Sequence, residues 1–466
     1  MSKIAKSLRE AILASGLKSG MTISFHHHLR NGDRVMNLVL DEIAALGIRD
    51  LTVNASAVMD VHAPLLEHIR SGVVTGLETA YIGAKVGREL SRGVLARPVV
   101  FRTHGSRASE IAAGRSRIDL AFIAASGVDE QGGCTGRTGP AAFGGMGYAI
   151  ADAQHAKHRI AVTDTLLAGE LAQPSIPAGQ IDQIVRVDQI GDAEGIVSST
   201  TQITKSPLRL KIARDTARII EAAGLLKDGL RFQTGAGGVS LAAAKFLREK
   251  MQKAGVQGDF CLGGITGYMV EMLHEGRFAR LLDMQCFDRA AIASLEQDPA
   301  HIEISGEAYA SPAGHSYVDE LDAVILGATE IDLGFNVNVH TDSYGRIMGG
   351  SGGHSDAAAG AKLTIIAAPL LRGRIPLVRE KVTAVTTPGR DIDVLVTECG
   401  VAVNPQKPEL RAALEAAGLP LADINEQYQR TLALAGQPAA IPQSERVAAR
   451  IIGRDGSLLD ELRCLP

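Results

Sequence analysis

The chain has 466 residues, more than one ordinary hydrophobic core holds, which predicts two domains. Hydrophobic residues make up 45% of the sequence and aromatic residues only 4%, so we expect cores built mainly from Ala, Val, Ile and Leu. A net charge of −4 argues against a nucleic-acid-binding protein, and no apolar run approaches the roughly 20 residues that a membrane-spanning helix needs.

The first predicted strand and helix enclose a loop rich in histidine. The apolar run Met21 to Phe25 is typical of a strand, and the loop HHHLRNG follows it at residues 26–32. Asp33 then suits the N-cap of a helix. Since adjacent residues of an extended segment point in alternate directions, at most His26 and His28 share a side. The loop lacks the added carboxylate of a metal site, so we expect no metal ion there.

A second basic cluster follows the strand-like run Pro98 to Phe101. Its sequence is FRTHGSRAS, and it contains Arg102 and Arg107. Guanidinium groups at that spacing suit a tricarboxylate or a phosphate, because Arg binds such anions bidentately. A solvated loop is the alternative.

Landmarks of the first half recur in the second. The segment IDLAFIAASGVDEQGG begins at Ile118 and LDAVILGATEIDLGFN begins at Leu321, and two Asp residues of each align at one constant spacing. Strands and helices alternate, which favours mostly parallel sheets with helices on their faces. We therefore predict an α/β fold of two similar domains, residues 1–215 and 216–466, with the ligand site at their interface. A generic alternation of strands and helices is the alternative.

The predicted join between the halves lies within Gln202 to Leu225. Ser206 and Pro207 there give an N-cap followed by proline at the first helical position, which indicates the start of a helix. Residues 446–463 are expected to pack on the surface of the second half. Later strand candidates are Leu363 to Ala367, Val382 to Thr386 and Ile392 to Thr397.

Three glycine-rich turns follow predicted strands of the second half. They contain Gly235, Gly237 and Gly238; then Gly263 and Gly264; then Gly349, Gly350, Gly352 and Gly353. Because glycine has no side chain, backbone N–H groups can approach a ligand at such turns. The last turn runs on to Asp356 and forms a nest suited to an anionic or thioester-bearing group, with a tight turn as the alternative. The first lacks the third glycine of a dinucleotide fingerprint, where Ser240 stands as a helix cap.

Several motifs together carry a family likeness. GGSGGHSDAAAGAK resembles the glycine loop of CoA-transferases and acetyl-CoA hydrolases, and VILGATEIDLGFNVN and LVTECGVAVNP resemble the segments around it. With FHHHLRNGD at the front and GAGGVSLAAAKFL in the middle, the sequence from about Lys18 to its end resembles the alpha subunits of citrate lyase. This resemblance implies CoA-transferase-like domains and a citrate:acetyl-ACP transferase, which replaces acetyl by citryl on a carrier thioester.

The same resemblance implies the partners. We expect a citrate lyase beta subunit, a gamma (acyl carrier) subunit and citrate, in an oligomeric complex. The chain would carry no cofactor of its own and would act on a CoA-like, phosphopantetheine-type thioester of the carrier. Five scattered cysteines without a CxxC pair indicate free thiols, which fits a reducing cytoplasm.

One departure from the wider superfamily concerns the nucleophile. The turn that usually holds a catalytic Glu reads FCLGGITG from Phe260 and contains no carboxylate, so a covalent glutamyl-thioester is not expected. The resemblance implies instead that a citrate carboxylate attacks the acetyl thioester directly. Glu330 is expected to orient the thiol or to be purely structural, and Glu398 to be a buried, hydrogen-bonded carboxylate.

Direct attack assigns roles to the candidate residues. Developing negative charge needs preorganised N–H donors, for which Gly235, Gly237 and Gly238 are the candidates. The expected citrate-binding residues are His26, His28, Arg30, Asn31, Arg102, Arg107, Gly263 and Gly264. The expected thioester-binding residues are Gly349, Gly350, Gly352, Gly353 and Asp356. A citramalate lyase alpha subunit, a stand-alone acyl-CoA transferase or hydrolase, and a scaffolding subunit without chemistry are the alternatives.

Overall fold

The computed structural model describes residues 2–197 and 203–466. Gln202, the first residue of the predicted join, lies outside these described residues. Within them, no helix combines the length and the apolar character needed to cross a membrane. The α-helices are α1 (Leu8–Ala14), α2 (Val35–Ala45), α3 (Leu65–Arg70), α4 (Ala84–Leu90), α5 (His104–Ala112), α6 (Ile150–His155), α7 (Pro207–Ala222), α8 (Gly238–Ala254), α9 (Gly267–His274), α10 (Arg289–Gln297), α11 (Gly306–Ala310), α12 (His354–Gly360), α13 (Pro408–Ala416) and α14 (Ile424–Ala435).

The strands fall into two large sheets and three small ones. In chain order they are β1 (Ile4–Ala5), β2 (Thr22–Phe25), β3 (Leu51–Ala55), β4 (Val74–Thr79), β5 (Val99–Phe101), β6 (Leu120–Ala124), β7 (Gly127–Asp129), β8 (Cys134–Thr135), β9 (His158–Thr163), β10 (Leu166–Leu167), β11 (Gln183–Arg186), β12 (Arg231–Thr234), β13 (Gly258–Ile265), β14 (Phe278–Cys286), β15 (His301–Glu303), β16 (Ala323–Leu326), β17 (Glu330–Asp332), β18 (Val337–Asn338), β19 (Leu363–Ala367), β20 (Leu371–Arg372), β21 (Ile375–Pro376), β22 (Val378–Arg379), β23 (Val394–Thr397), β24 (Gly400–Val403), β25 (Val447–Ile452) and β26 (Leu458–Arg463).

The two large sheets share one strand order, which confirms the predicted α/β class with mostly parallel sheets. The first runs β1-β11-β9-β6-β2-β3-β4-β5-β25-β26, and the second runs β15-β14-β13-β12-β16-β19-β23-β24. Read from β11 to β5, the first order matches the second from β23 to β15, strand for strand. Pairing is parallel except at the β23–β24 and β25–β26 hairpins. Below, residues 2–197 are called the first half and residues 203–445 the second half.

Side-chain contacts repeat along with the strand order. Asp119 accepts a 2.9 Å hydrogen bond from the N–H of Thr22 and pairs with Lys157. Asp322 likewise accepts a 2.9 Å hydrogen bond from the N–H that begins β12, and Lys362 lies 2.7 Å from its carboxylate. In each half the same carboxylate therefore ties the start of one central strand to its neighbour.

The second aligned pair of acids forms matching turns. Asp129 Oδ1 accepts hydrogen bonds from the N–H groups of residues 131–133. Asp332 Oδ1 accepts from the N–H groups of Gly334 and Asn336. A carboxylate that collects several backbone donors holds a turn closed, which explains why these acids recur at one spacing.

Most predicted elements are present, and four details of the structure differ from the prediction. Asp33 is not the N-cap of α2, which begins at Val35 with Arg34 at its N-cap position. Val382 to Thr386 forms no strand, because the N–H of Thr383 donates to the side chain of Glu330 rather than to a neighbouring strand. The helix α8 begins at Gly238 with Gly237 at its N-cap position, so Ser240 lies within the first turn and does not cap it.

The last correction concerns residues 446–463: they contact the second half, where the N–H of Val385 donates to Asp460 at 2.8 Å, but they do so as strands of the first sheet. They form the β25–β26 hairpin, and β25 pairs in parallel with β5 of the first sheet. Edge strand β5 offers unpaired backbone groups, and the returning hairpin satisfies them. From the hairpin turn, Arg454 reaches the second half and lies 2.7 Å from Asp319. The end of the chain thus contacts both halves.

Candidate functional site

A cavity of about 520 Å³ lies where the two halves meet. The first half contributes Tyr81, His104 and Tyr148 to its wall. The second half contributes the C-terminal parts of strands β12, β13, β14 and β16 with residues that follow them, and the glycine loop before α12. Its size is in the range of small-molecule sites, which are typically about 300–1,000 Å³. Six predicted site residues line it, namely Gly235, Gly237, Gly263, Gly264, Gly350 and Gly353.

The glycine loop joins the halves through its backbone. Gly349 accepts from the N–H of Ile82, and Gly352 both donates to Ala80 and accepts from the N–H of His104. A Cβ on Gly350 would overlap the carbonyl oxygen of Ala80. These glycines therefore permit close approach of two backbones, in addition to any contact with a ligand.

Part of the loop keeps its donors available. The hydrogen bonds of the described residues occupy the N–H groups of Gly352 and His354, and none of them occupies those of Gly350 and Ser351. Both Gly350 and Ser351 line the cavity. Unpaired N–H groups facing a cavity are the arrangement that binds an anionic oxygen.

A second glycine turn, residues 235–238, leads into the N-terminus of α8. The N–H of Gly235 donates to the carbonyl of Ile325, so this donor is not available to a ligand. Gly237, at the N-cap position, has no described atom within 4 Å of where a Cβ would stand, which means that it faces open space. The first N–H groups of a helix have no partner inside it, so those that begin at Gly238 remain available beside the cavity.

Tyr148, which lines the cavity, is the centre of a group of aromatic and imidazole rings. Its ring centroid lies 4.5 Å from that of His27, 4.6 Å from His104 and 5.5 Å from His28. Burial lowers the pKa of His104 to about 3, with a smaller contribution from Arg107, and burial also lowers the pKa of His27 and His28 well below the usual value. These three imidazoles are therefore neutral near pH 7.

Arg30 supplies the positive charge next to the cavity wall. Its guanidinium lies 4.9 Å from the ring centroid of Phe287, a lining residue. Within the described residues no Asp or Glu pairs with it, and its buried Nη1 has no hydrogen-bond partner. The backbone φ of Arg30 is 51°, a strained value for a non-glycine residue. A strained backbone that holds an unpaired buried cation indicates a prepared anion site.

The remaining predicted citrate residues lie outside the cavity wall. His26 Nε2 is 3.1 Å from the buried carboxylate of Asp152, which also receives two hydrogen bonds from Arg107 at 2.8 and 2.9 Å. Arg102 pairs with Glu78 at 3.1 Å. Asn31 is exposed. Arg107 and Asp152 neutralise each other in the core, because a buried charge without a partner is costly.

The pair formed by Arg107 and Asp152 anchors the first half. Although burial opposes it, Arg107 and His26 lower the pKa of Asp152 below its usual range. Arg107 also donates to the side chain of Asn54 at 2.6 Å. The structure therefore assigns Arg107 and His26 to a polar network behind the loop and not to the wall of the cavity.

Asp356 also lies behind the wall. It is fully buried, and its Oδ2 accepts a 2.9 Å hydrogen bond from the N–H of Gly105, in the first turn of α5. Burial raises the pKa of Asp356 to about 6, although the hydrogen bond from Gly105 acts in the opposite direction. Its position makes it a contact between the halves.

No acidic side chain of the described residues lines the cavity. Glu330 is buried and held by Arg379 at 2.9 Å, by Asn338 and by the N–H of Thr383. Glu398 accepts a 2.9 Å hydrogen bond from the N–H of Leu370. Each of these carboxylates has protein partners away from the cavity, which is the arrangement of a structural group.

Sequence reasoning missed several lining residues. Tyr148, Tyr309 and Phe287 reach the cavity from helices and loops far apart in the sequence, where no motif marks them. Gln233 could have been found, since it immediately precedes the glycine turn at the end of β12. Its Nε2 donates to Tyr309 Oη at 3.0 Å, and its buried Oε1 has no partner among the described residues.

Two halves that share one strand order, with a cavity between them, define a fold of the CoA-transferase-like class. A structural comparison agrees on the fold: a Pseudomonas malonate decarboxylase hetero-tetramer in complex with malonate contains a chain with a TM-score of 0.70 at 16% identity, covering 93% of this chain and 87% of that one.

Closer relatives narrow the class to one family. A family model described as citrate lyase, alpha subunit (CitF) matches residues 1–465. The citrate lyase alpha chain of Klebsiella pneumoniae is 46% identical over 462 residues, 99% of this chain and 91% of the relative. That of Escherichia coli K12 is 45% identical over 459 residues, 98% of this chain and 90% of the relative.

A solved structure gives the same result. A protein of Streptococcus mutans described as the alpha subunit of citrate lyase, in complex with citrate, matches with a TM-score of 0.98 at 44% identity, covering 100% of this chain and 92% of that one. The chain therefore belongs to the family of citrate lyase alpha subunits, which are enzyme components with an acyl transferase role.

Proposed function

We propose that the chain exchanges acetyl for citryl on a thioester by direct attack of citrate, without a covalent bond to an enzyme carboxylate. One observation carries this proposal: the half-buried Arg30, whose buried Nη1 has no partner, adjoins a cavity that no Asp or Glu of the described residues lines. Such a cavity attracts a carboxylate substrate and offers no carboxylate nucleophile of its own.

Citrate is the proposed acceptor, since the similar Streptococcus mutans protein was crystallised with citrate. Arg30 would bind one of its carboxylates, because a guanidinium offers parallel donors to both oxygens. The neutral ring of His28, whose two nitrogens are buried without partners among the described residues, is the next candidate. Citramalate is the alternative acceptor, and competition between the two acids would rank them.

The proposed reaction has two steps. A citrate carboxylate oxygen attacks the acetyl carbonyl, the carbon–sulfur bond breaks, and a mixed citryl–acetyl anhydride and a thiolate form. The thiolate then attacks the citryl carbonyl, the bond from that carbon to the bridging oxygen breaks, and acetate leaves. Citryl thioester and acetate are the products, and no proton is gained or lost.

Each attack places negative charge on a carbonyl oxygen. We propose the N–H groups at the start of α8, around Gly237 and Gly238, and those of Gly350 and Ser351 as the donors that stabilise this charge. Gly235 is removed from the proposed donors, because its N–H is already bonded to Ile325. Loss of one such donor typically lowers turnover about 10²- to 10³-fold.

As a citrate lyase alpha chain, the protein is one chain of a multi-subunit enzyme. We propose that its partners are a beta subunit and a gamma (acyl carrier) subunit, and that the thioester is a phosphopantetheine-type group of that carrier. The domain division at residues 215 and 216 also remains a proposal, as does a cytoplasmic location, which rests on the scattered cysteines.

Isotope transfer tests the direct route. A single turnover with acetyl-CoA and citrate labelled with ¹⁸O in its carboxylates should give citryl-CoA and acetate that carries one ¹⁸O, because the bridging oxygen leaves with acetate. A covalent enzyme carboxylate would instead place the label in the protein and leave the first acetate unlabelled. No exchange with CoA-borne or carrier-borne acetyl would reject the transferase itself.

A further inference from the structure

The mouth of the cavity carries an arginine that the proposed reaction does not use. Arg372 lies in the β20–β21 hairpin, is exposed to solvent, and also lines the cavity. Its Nη2 donates a 3.1 Å hydrogen bond to the carbonyl of Ala328, another lining residue. This bond holds the guanidinium at the point where the cavity reaches solvent.

The surroundings of Arg372 are unusual for an exposed cation. Within the described residues neither Arg372 nor Arg209 of α7 has an Asp or Glu at ion-pair distance, and the charge that acts on Arg372 is that of Arg209. Partial desolvation first, and this neighbouring cation second, lower the pKa of Arg372. Two cations side by side without an acid repel each other, and a bound anion relieves that repulsion.

The rest of the cavity wall differs in chemistry. It includes Tyr148, His104 and the glycine turns, which suit an acyl group and its carbonyl oxygen. An elongated ligand that spans from this wall to Arg372 would therefore have an acyl end inside and an anionic group at the mouth. A thioester of a phosphorylated pantetheine arm has this distribution of groups.

We propose that Arg372, supported by Arg209, binds the phosphate of the thioester-bearing arm. This proposal rests on the proposed function, since it names the part of the same ligand that the cavity mouth recognises. A guanidinium binds phosphate through two parallel N–H···O bonds, and a second positive charge nearby strengthens the attraction. Arg372 is thus a specificity residue for phosphorylated thiol arms over unphosphorylated ones.

Affinity for two matched ligands tests this assignment. The dissociation constants of 4′-phosphopantetheine and pantetheine, which differ by one phosphate, are measured by calorimetry for the full chain. The wild type should bind the phosphorylated ligand at least about tenfold more tightly, and Arg372→Gln should abolish that preference while leaving pantetheine binding within about twofold. Arg374→Gln is the control, because Arg374 is exposed on the same hairpin and does not line the cavity.

Kinetics give a second readout. With Arg372→Gln the KM for acetyl-CoA should rise about tenfold with kcat little changed, whereas KM for S-acetylpantetheine should not move. Parallel assays with the acetylated carrier subunit show whether Arg372 binds the phosphate of free CoA, that of the carrier, or both. Any of these three results supports the phosphate site. Equal affinity of the wild type for the two pantetheines, or equal losses for both in the variant, would overturn it. A wild type that binds with the expected preference but exchanges no acetyl rejects the proposed function alone.

Discussion

The loop after β2 and the loop after β12 occupy the same position in the two halves, and they offer opposite chemistry. The first, residues 26–32, brings imidazoles and Arg30 against Phe287 and Tyr148. The second, residues 234–239, exposes bare backbone at the start of α8. Under the proposed function, one strand order has thus produced a side that would bind anions through side chains and a side that would stabilise developing charge through main-chain amides.

These proposed roles would explain why the site needs both halves. A guanidinium alone would bind the anionic substrate, but it would leave the carbonyl oxygen of the thioester without hydrogen-bond donors. A glycine turn alone would provide donors with nothing to position the attacking carboxylate. The following changes test the contrast, from the largest expected effect to the smallest.

Arg30→Ala should lower kcat/KM for citrate about a thousandfold, or roughly 4 kcal/mol, because it removes a buried charged contact to a carboxylate. The measurement is the initial rate of citryl-CoA formation from acetyl-CoA over a range of citrate concentrations. Arg102→Ala is the matched control: Arg102 pairs with Glu78 outside the cavity wall, and its loss should change the rate less than about threefold. Similar losses in both variants would contradict the role of Arg30.

Asp356→Asn tests the contact that holds the two sides together. The folded-state pKa of Asp356 is about 6 and the unfolded value is about 3.9, so between these values the native state binds a proton that the unfolded chain does not. The protonated carboxyl of Asp356 therefore adds to the unfolding free energy of the wild type at low pH, and this contribution is lost as pH rises through 6. The unfolding free energy of the variant relative to the wild type should increase by up to about 3 kcal/mol from pH 4 to pH 7.

Urea unfolding followed by far-UV circular dichroism at several pH values gives that difference. Because the other carboxylates are the same in both proteins, their contributions cancel. A difference that stays flat across this pH range would show that Asp356 is ionised in the folded protein throughout.

Gly237→Val tests the bare-backbone side. The new side chain would occupy open space in the cavity, so we expect an unchanged melting temperature and about a thirtyfold loss of turnover, or roughly 2 kcal/mol. Gly179→Val is the control, since Gly179 also has open space around it and lies outside the cavity wall. Full activity in Gly237→Val would remove this turn from the site.

Glu330→Gln has the smallest expected effect, and it separates a structural carboxylate from a nucleophile. Turnover should stay within about twofold, whereas stability should fall by about 1–2 kcal/mol as Arg379 loses its charged partner. The equivalent position in the first half is Gly127, which begins β7 and carries no carboxylate. Loss of turnover with a stable fold, together with ¹⁸O in the protein, would restore Glu330 as the nucleophile.

The α/β class, the repeat of the two halves and a cavity at their interface could be predicted from the sequence because they depend on local pattern. Each pattern that was used reflects the conformation of the backbone close to it in sequence. These patterns are the apolar runs, the glycine turns and the recurring Asp119/Asp322 and Asp129/Asp332 pairs. The position of Arg30 next to the cavity could be predicted for the same reason, since a cation in a loop after a strand lies at the carboxyl edge of the sheet.

What the sequence could not supply was the partner of each charged group. In the sequence, Arg102, Arg107 and Asp356 all look like ligand-binding residues. In the structure their partners are Glu78, Asp152 and the N–H of Gly105, which place them outside the cavity wall. The pairing of β25 with β5 depends on contacts more than 300 residues apart and has no local signal. Tyr148 and Arg372 reach the cavity for equally non-local reasons.

The β25–β26 hairpin has a consequence for how the chain comes apart. The hairpin extends the edge of the first sheet, so the last residues of the chain pair with an early strand. From the same hairpin, Arg454 forms an ion pair with Asp319 of the second half. Unfolding of the second half would remove the Asp319 contact of the hairpin, and unfolding of the first sheet would remove the strand that the hairpin pairs with, so the two halves should denature in one cooperative event. Removing residues 446–466 should split that event into two, with the first sheet losing order earlier.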